Sequence, residues 1–201
     1  MKTNEVTAGT DNTTWWNGLS ADWKQAYNEV FSQRKDEDMP ADEILETIRN
    51  STVLRIAGPD AMFPNTGISL KDLSGVKGLK NLEILVVINH HIHSLEAISS
   101  MTTLHSLFVF SNHIQSLHGL EKLTGLKKLY FNDNKVSSLK PLSDLLQLET
   151  IHCAHNKISS LKGIGKKHKS LKEFFCLPND DLWTSEIMRF ETETKIRCLK
   201  G

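Results

Sequence analysis

The chain has 201 residues and contains no run of about 18 apolar residues, so it offers no segment able to cross a membrane as a helix. It has no excess of charge either. Lys and Arg number 24, as do Asp and Glu, and this balance gives no general pull toward nucleic acid or an anionic membrane. The lysine cluster Lys162, Lys166, Lys167, Lys169 and Lys172 is a local exception. No aromatic residues interleave with it, so it reads as a solvated loop and not as a nucleic-acid contact. The polar first fourteen residues lack the apolar core of a secretory signal, from which a cytoplasmic location is expected. Cysteine is scarce, at three residues, which fits a reducing compartment. No serine–histidine–acid constellation, phosphate-cradling glycine loop or paired-carboxylate motif can be placed, so neither catalysis nor a cofactor is expected.

What the sequence does hold is a repeat. Leucine-rich stretches begin at Leu82, Leu104, Leu126, Leu148 and Leu171, in steps of 22, 22, 22 and 23 residues. Each follows L-x-x-L-x-L-x-x-N-x-I-x-x-L-x-x-L. The second copy runs Leu104, Leu107, Val109, Asn112, Ile114, Leu117 and Leu120; the third runs Leu126, Leu129, Phe131, Asn134, Val136, Leu139 and Leu142. The fourth carries Leu148, Ile151, Cys153, Asn156 and Ile158. The first has His90 where the others have asparagine, and the fifth keeps Leu171, Phe174, Cys176 and Asn179 before losing register at Leu182. The L-x-L piece has the period of a short strand with its leucines on one face. The wider apolar spacing that follows suits a return segment that is loose or 3₁₀-like. One such turn cannot bury its apolar side alone, so the turns stack into a continuous core with a parallel sheet of rungs about 4.8 Å apart. The asparagine sits where the strand bends inward, and its amide can serve backbone groups that have no sheet partner. His90 can replace it only in part, so the first complete turn should be atypical.

This pattern resembles the leucine-rich repeat family, in the 22-residue class found in bacterial internalins and phosphatase-regulating repeat proteins. The resemblance covers residues 70 to 182. It implies an α/β fold: a right-handed leucine-rich repeat solenoid with a parallel sheet on its concave face, a helical N-terminal cap and a short C-terminal cap. Exported internalins often carry an immunoglobulin-like domain and a surface anchor; neither is visible here, so no host-invasion role is carried over.

The expected organisation is a disordered or extended N-terminus over 1–14, a helical cap over 15–51, the solenoid over 52–182 and a C-terminal cap over 183–201. Leu19, Trp23, Tyr27 and Phe31 form one stripe of a helix with Ser20 as its N-cap. A second helix starts near Pro40, with Asp42 and Glu43 in its first turn, Arg49 near its end, and Ile44, Leu45 and Ile48 inward. Thr52 to Ile56 reads as a strand, Gly58 to Gly67 as an insertion, and Trp183 to Phe190 as a capping helix. Cys153 and Cys176 occupy inward positions and are expected to be buried free thiols. Cys153 and the adjacent His152 point to opposite faces, so they are no nucleophile pair. The state of Cys198 is open.

Strand alternation also decides what points out of the sheet. The middle outward column carries Val86, Phe108, Tyr130, His152 and Phe175. The column two residues later carries Ile88, Phe110, Asn132, Ala154 and Leu177, and the one two residues earlier Ile84, Ser106, Lys128, Thr150 and Glu173. A solvated sheet face would be polar, whereas a contiguous apolar surface with a polar rim marks an interaction site. Val86, Ile88, Phe108, Phe110, Tyr130, His152 and Phe175 are therefore the candidate protein-binding residues, beside a mostly basic rim of His91, His113, Lys135, Lys157 and Asp180. The expected function is a non-catalytic module that binds a protein or peptide. The alternative is a structural homo-oligomer, at its simplest a homodimer, joined through the same face. A weaker third reading is a metal site at His91 and His113, for which further ligands are lacking.

Overall fold

The computed structural model describes residues 5–201, with side chains from residue 11 onward. Helices α1 (Glu5–Asn17), α2 (Ala21–Phe31) and α3 (Asp42–Arg49) precede a seven-stranded parallel sheet. Its strands are β1 (Val53–Ala57), β2 (Ile84–Ile88), β3 (Ser106–Phe108), β4 (Lys128–Tyr130), β5 (Thr150–His152), β6 (Glu173–Leu177) and β7 (Leu199–Lys200), paired in chain order. Helix α4 (Thr184–Thr194) lies between β6 and β7.

The register of the sheet is the period of the sequence. Leu85, Leu107, Leu129, Ile151 and Phe174 are successive partners across β2 to β6, and all are fully buried. Short 3₁₀ segments at Ser74–Val76, Glu96–Ile98 and Lys140–Leu142 form part of the opposite side of the coil. They follow Leu73, Leu95 and Leu139, which are also buried, so strand and return segment fill one core from two sides. The turns after β2, β3, β4 and β5 leave their strands through the left-handed region at the same phase: φ is 56° at Asn89, 54° at Ser111, 55° at Asp133 and 54° at His155.

The asparagines sit just inside this corner and bind three layers together. Asn134 Nδ2 donates to the carbonyls of Val109 (2.9 Å), Phe131 (3.1 Å) and Asn132 (3.2 Å), and its Oδ1 accepts from Ile114 N at 2.8 Å. Asn112 and Asn156 repeat this pattern one turn either side, and Asn179 extends it by accepting from both Asn156 N and Ile158 N. His90 does half the work. Its Nδ1 accepts from Leu70 N at 3.1 Å, but the buried Nε2 makes no hydrogen bond among the described residues.

Of the segment 1–14, expected to be disordered or extended, residues 1–4 lie outside the described ones and residues 5–14 belong to α1. The aromatic pair at its end explains the difference. Trp16 is buried, Trp15 Nε1 donates to Lys77 O at 2.8 Å, and Arg49 from α3 both lies over the Trp15 ring and reaches Asp11 at 2.6 Å. Helix α2 begins at the expected cap, where Ser20 Oγ accepts from Trp23 N. Trp23 and Tyr27 are buried against the first turn, with Trp23 Nε1 on Asp72 O (3.2 Å) and Tyr27 Oη on Gly75 O (2.9 Å). Gly75 is needed there, because a Cβ would overlap the Trp23 ring. At the other end Phe190 of α4 packs on Phe174 with ring centroids 5.5 Å apart, and Glu186 accepts from Leu161 N. Strand β7 was not anticipated from sequence. It adds a seventh rung beside β6, with Gly201 N donating to Leu177 O at 2.8 Å.

Candidate functional site: the solvent face of the sheet

The alternation of buried and half-buried residues along β2 to β6 separates the two faces cleanly. Leu85, Val87, Leu107, Val109, Leu129, Phe131, Ile151, Cys153, Phe174 and Cys176 are inside; Val86, Phe108, Tyr130, His152 and Phe175 are outside and half-buried. Parallel register places the outer five in one row, since Val86 pairs with Phe108, Phe108 with Tyr130, Tyr130 with His152 and His152 with Phe175.

The four rings of this row form a single stack. Centroid separations are 4.7 Å for Phe108–Tyr130, 4.2 Å for Tyr130–His152 and 3.9 Å for His152–Phe175, with interplanar angles of 31°, 11° and 27°. The spacing is close to the strand separation of about 4.8 Å, so the sheet itself sets it. Rings stacked along the coil axis cover one another's faces and present their edges to solvent. Ring edges are the electropositive part of an aromatic, and here they are joined by the Tyr130 hydroxyl and the His152 imidazole. Partial burial shifts both titrations. It lowers the His152 value, against an opposing pull from Glu173, and it raises the Tyr130 value, with Glu173 adding to the rise. Both shifts favour the neutral forms of the two rings.

The second column is less open than the sequence suggested. Phe110 is half-buried, but Ile88 is only 8% exposed, so its candidacy as a contact residue is not carried further. The insertion after β1 accounts for this. Gly58 N donates to Ile88 O, Asn65 is bonded to Ala57 N and Arg55 O, Arg55 donates to Phe63 O, and the loop is thereby held back against the first two turns. The same loop presents Met62 and Phe63, 89% and 71% exposed, next to Arg55, which stands in the row occupied by Val86 and the rings. These two residues were missed in the sequence reading. The signal for them was a pair of large apolar residues between Pro59 and Pro64, a loop in which no core could use them.

At the edge, His91, Lys135, Lys157 and Asp180 are exposed and His113 is half-buried. His91 and His113 stack at 4.9 Å with an interplanar angle of 13°, and His93 lies 5.4 Å from His113. Stacked imidazoles turn their faces, not converging nitrogens, toward each other. Among the described residues no group of three His, Cys, Asp or Glu side chains is disposed to hold a metal ion. Again among the described residues, no helix is long and apolar enough to cross a membrane.

Comparison with known proteins bears on the fold. The family described as leucine-rich repeats (2 copies) matches residues 102–144. An internalin, inlF of Listeria monocytogenes, superposes with a TM-score of 0.67 at 23% identity, over 86% of this chain and 47% of its own. A leucine-rich repeat protein of Leptospira interrogans gives a TM-score of 0.55 at 22% identity, over 65% of this chain and 38% of that one. No curated protein matches by sequence. The family match identifies leucine-rich repeats over residues 102–144, and the stacked parallel sheet gives the chain a fold like that of the internalin solenoid. The chain spans less than half the length of either solved relative.

Proposed function

We propose that the protein is a non-catalytic binding module that holds a protein or peptide against the row Val86, Phe108, Tyr130, His152 and Phe175, with Phe110 beside it. The observation that carries this reading is the ring stack itself. Four side chains that the core does not need are half-exposed and fixed against one another at separations of 3.9 to 4.7 Å. Rings already held in place lose little freedom on association, which lowers the entropic cost of binding. Their edges favour carbonyl oxygens and the faces of a partner's aromatic residues, both of which a polypeptide supplies. Large aromatics at the centre of a patch are the usual anchors of protein interfaces, at about 2 kcal/mol or more each.

The test is capture of a partner from the lysate of the native organism by the wild-type chain, by the triple variant Phe108→Ser, Tyr130→Ser, Phe175→Ser, and by a control changed on the opposite side of the coil, Lys122→Ser. The wild type and the control should retain a protein that the triple variant loses while keeping its far-ultraviolet circular dichroism. Retention by a folded triple variant contradicts the reading. If light scattering over a concentration series shows the wild type doubling in mass and the triple variant not, the partner is a second copy of the chain.

A further inference from the structure

Around the corner from the ring row runs a second line of side chains. Five residues after Val86, Phe108, Tyr130 and His152 the chain carries His91, His113, Lys135 and Lys157. Backbone bonds hold this line in register: His113 N donates to Ile92 O at 2.9 Å, Lys135 N to Ile114 O at 2.8 Å and Lys157 N to Val136 O at 2.9 Å. Each member therefore stands one layer from the next, at about the strand separation of 4.8 Å. Lys135 and Lys157 are exposed, and among the described residues neither forms an ion pair, whereas Lys167 and Lys172 are taken up by Asp144 and Glu149. On the other flank of the row, Lys128 is exposed beside Tyr130. In the two lines that flank the row, acids appear only in the last turn, as Glu173 and Asp180. Between row and rim, Asp133 is the acidic member of the corner positions, and its carboxylate accepts from Asn132 Nδ2 at 2.6 Å.

We propose that the segment held on the ring row is an acidic polypeptide, whose carboxylates meet Lys135 and Lys157 on one side and Lys128 on the other while its apolar side chains meet the rings. This rests on the row being the binding face, and it adds the chemistry of the partner. Row and rim ask for the same atoms. Ring edges are electropositive and lysine ammonium groups carry full charge, so both favour oxygen acceptors, and carboxylates above all. A nucleic acid also offers anionic oxygens, but its bases bind aromatic residues by stacking on open ring faces. Here the faces of Tyr130 and His152 are covered by their neighbours at 3.9 to 4.7 Å, and edges are what the row presents. Charge at the rim acts before contact is made, so it should speed association and make affinity sensitive to salt.

The test measures binding of three fluorescently labelled polymers to the full chain at pH 7: a random copolymer of glutamate and tyrosine, a random copolymer of lysine and tyrosine, and polyuridylate RNA. Two variants of equal net charge are compared, Lys135→Glu with Lys157→Glu on the rim, and Lys122→Glu with Lys140→Glu on the opposite side of the coil. The wild type should bind the glutamate–tyrosine copolymer in preference to the other two. The rim variant should lose about tenfold or more in affinity and the control variant less than about twofold, both with unchanged far-ultraviolet circular dichroism. Raising NaCl from roughly 0.05 to 0.5 M should weaken the wild type and leave the rim variant nearly unaffected.

The proposal is overturned if the wild type ignores the acidic copolymer, binds the lysine copolymer as well, or prefers the RNA. Equal losses in the rim and control variants overturn it too, since they would mean attraction to overall charge. The serine variant at Phe108, Tyr130 and Phe175 separates this inference from the one beneath it. If that variant loses the acidic copolymer and the rim variant keeps it, the row stands and the acidic partner falls. If it keeps the copolymer and the rim variant loses it, the ring row falls as the binding face, and with it the proposal that row and rim act together.

Discussion

Replacing Asn134 by alanine removes four hydrogen bonds at the centre of the solenoid, but the four losses are unequal. The carbonyls of Val109 and Phe131 keep second partners, Asn112 Nδ2 and Asn156 Nδ2, and the carbonyl of Asn132 still accepts from Ser111 N. Ile114 N is different: Asn134 Oδ1 is its acceptor at 2.8 Å, and Ile114 is fully buried, so water cannot replace the lost partner. Stranding one buried amide costs about 1–3 kcal/mol, and weakening three carbonyls adds to that, which places the variant about 2–3 kcal/mol below the wild type. For a domain whose total stability is on the order of 5–15 kcal/mol, this is a large fraction. Urea unfolding followed by circular dichroism is the assay, with the midpoint expected to fall and the slope to stay constant. Thermal melting should drop by roughly 4–12 °C for a chain of this size. A variant within about 0.5 kcal/mol of wild type would refute the reasoning, since it would mean that the corner amide is not the bond that holds successive turns together.

The remaining predictions use the same frame. Burial pushes the His90 imidazole down to about 4, and nearby His91 adds to the shift, so the unfolded chain takes up a proton at this site more readily than the folded one. Stability is therefore whole above the unfolded value of about 6.5 and declines as pH falls toward 4, by about 3 kcal/mol in all; His90→Asn should remove most of that slope and raise stability at pH 5 in urea titrations. Gly163 has φ +118° and a Cβ there would overlap the Leu139 carbonyl, whereas Gly165 faces open space. Gly163→Ala should cost about 2 kcal/mol or more and Gly165→Ala about 0.5 or less, as read from denaturation midpoints. Phe131→Ala should cost about 3–5 kcal/mol, as for a buried aromatic, and Tyr130→Ala clearly less, because one residue of the strand points into the core and the next points out.

The inner half of this structure was legible because it is periodic. Leucine spacing locates the strands, the asparagine phase locates the corner, and alternation puts Phe108, Tyr130, His152 and Phe175 in one row. Spacing also revealed His90 as a defective corner, and the structure shows the defect to be one unpartnered ring nitrogen. What escaped was aperiodic. Helix α1 reaches back to Glu5 through contacts of Trp15 and Trp16 with residues distant in sequence, and β7 is too short to carry a pattern. The burial of Ile88 follows from a loop folded back by Arg55 and Asn65, two polar residues whose partners a repeat pattern does not contain. The exposure of Met62 and Phe63 depends on that same loop. Which neighbour sits across a strand can be counted from sequence; where an insertion lies on the surface depends on bonds that only the folded chain defines.

Hydroxyl-radical footprinting of the protein, alone and with its captured partner, tests the central claim most directly. In the free protein Phe108, Tyr130 and Phe175 should be labelled and Phe131 and Phe174 should not, and the partner should protect the first three. Labelling of Phe131 at the level of Tyr130 would contradict the assignment of faces. Protection elsewhere, with the stacked rings still labelled in the complex, would contradict their role in binding.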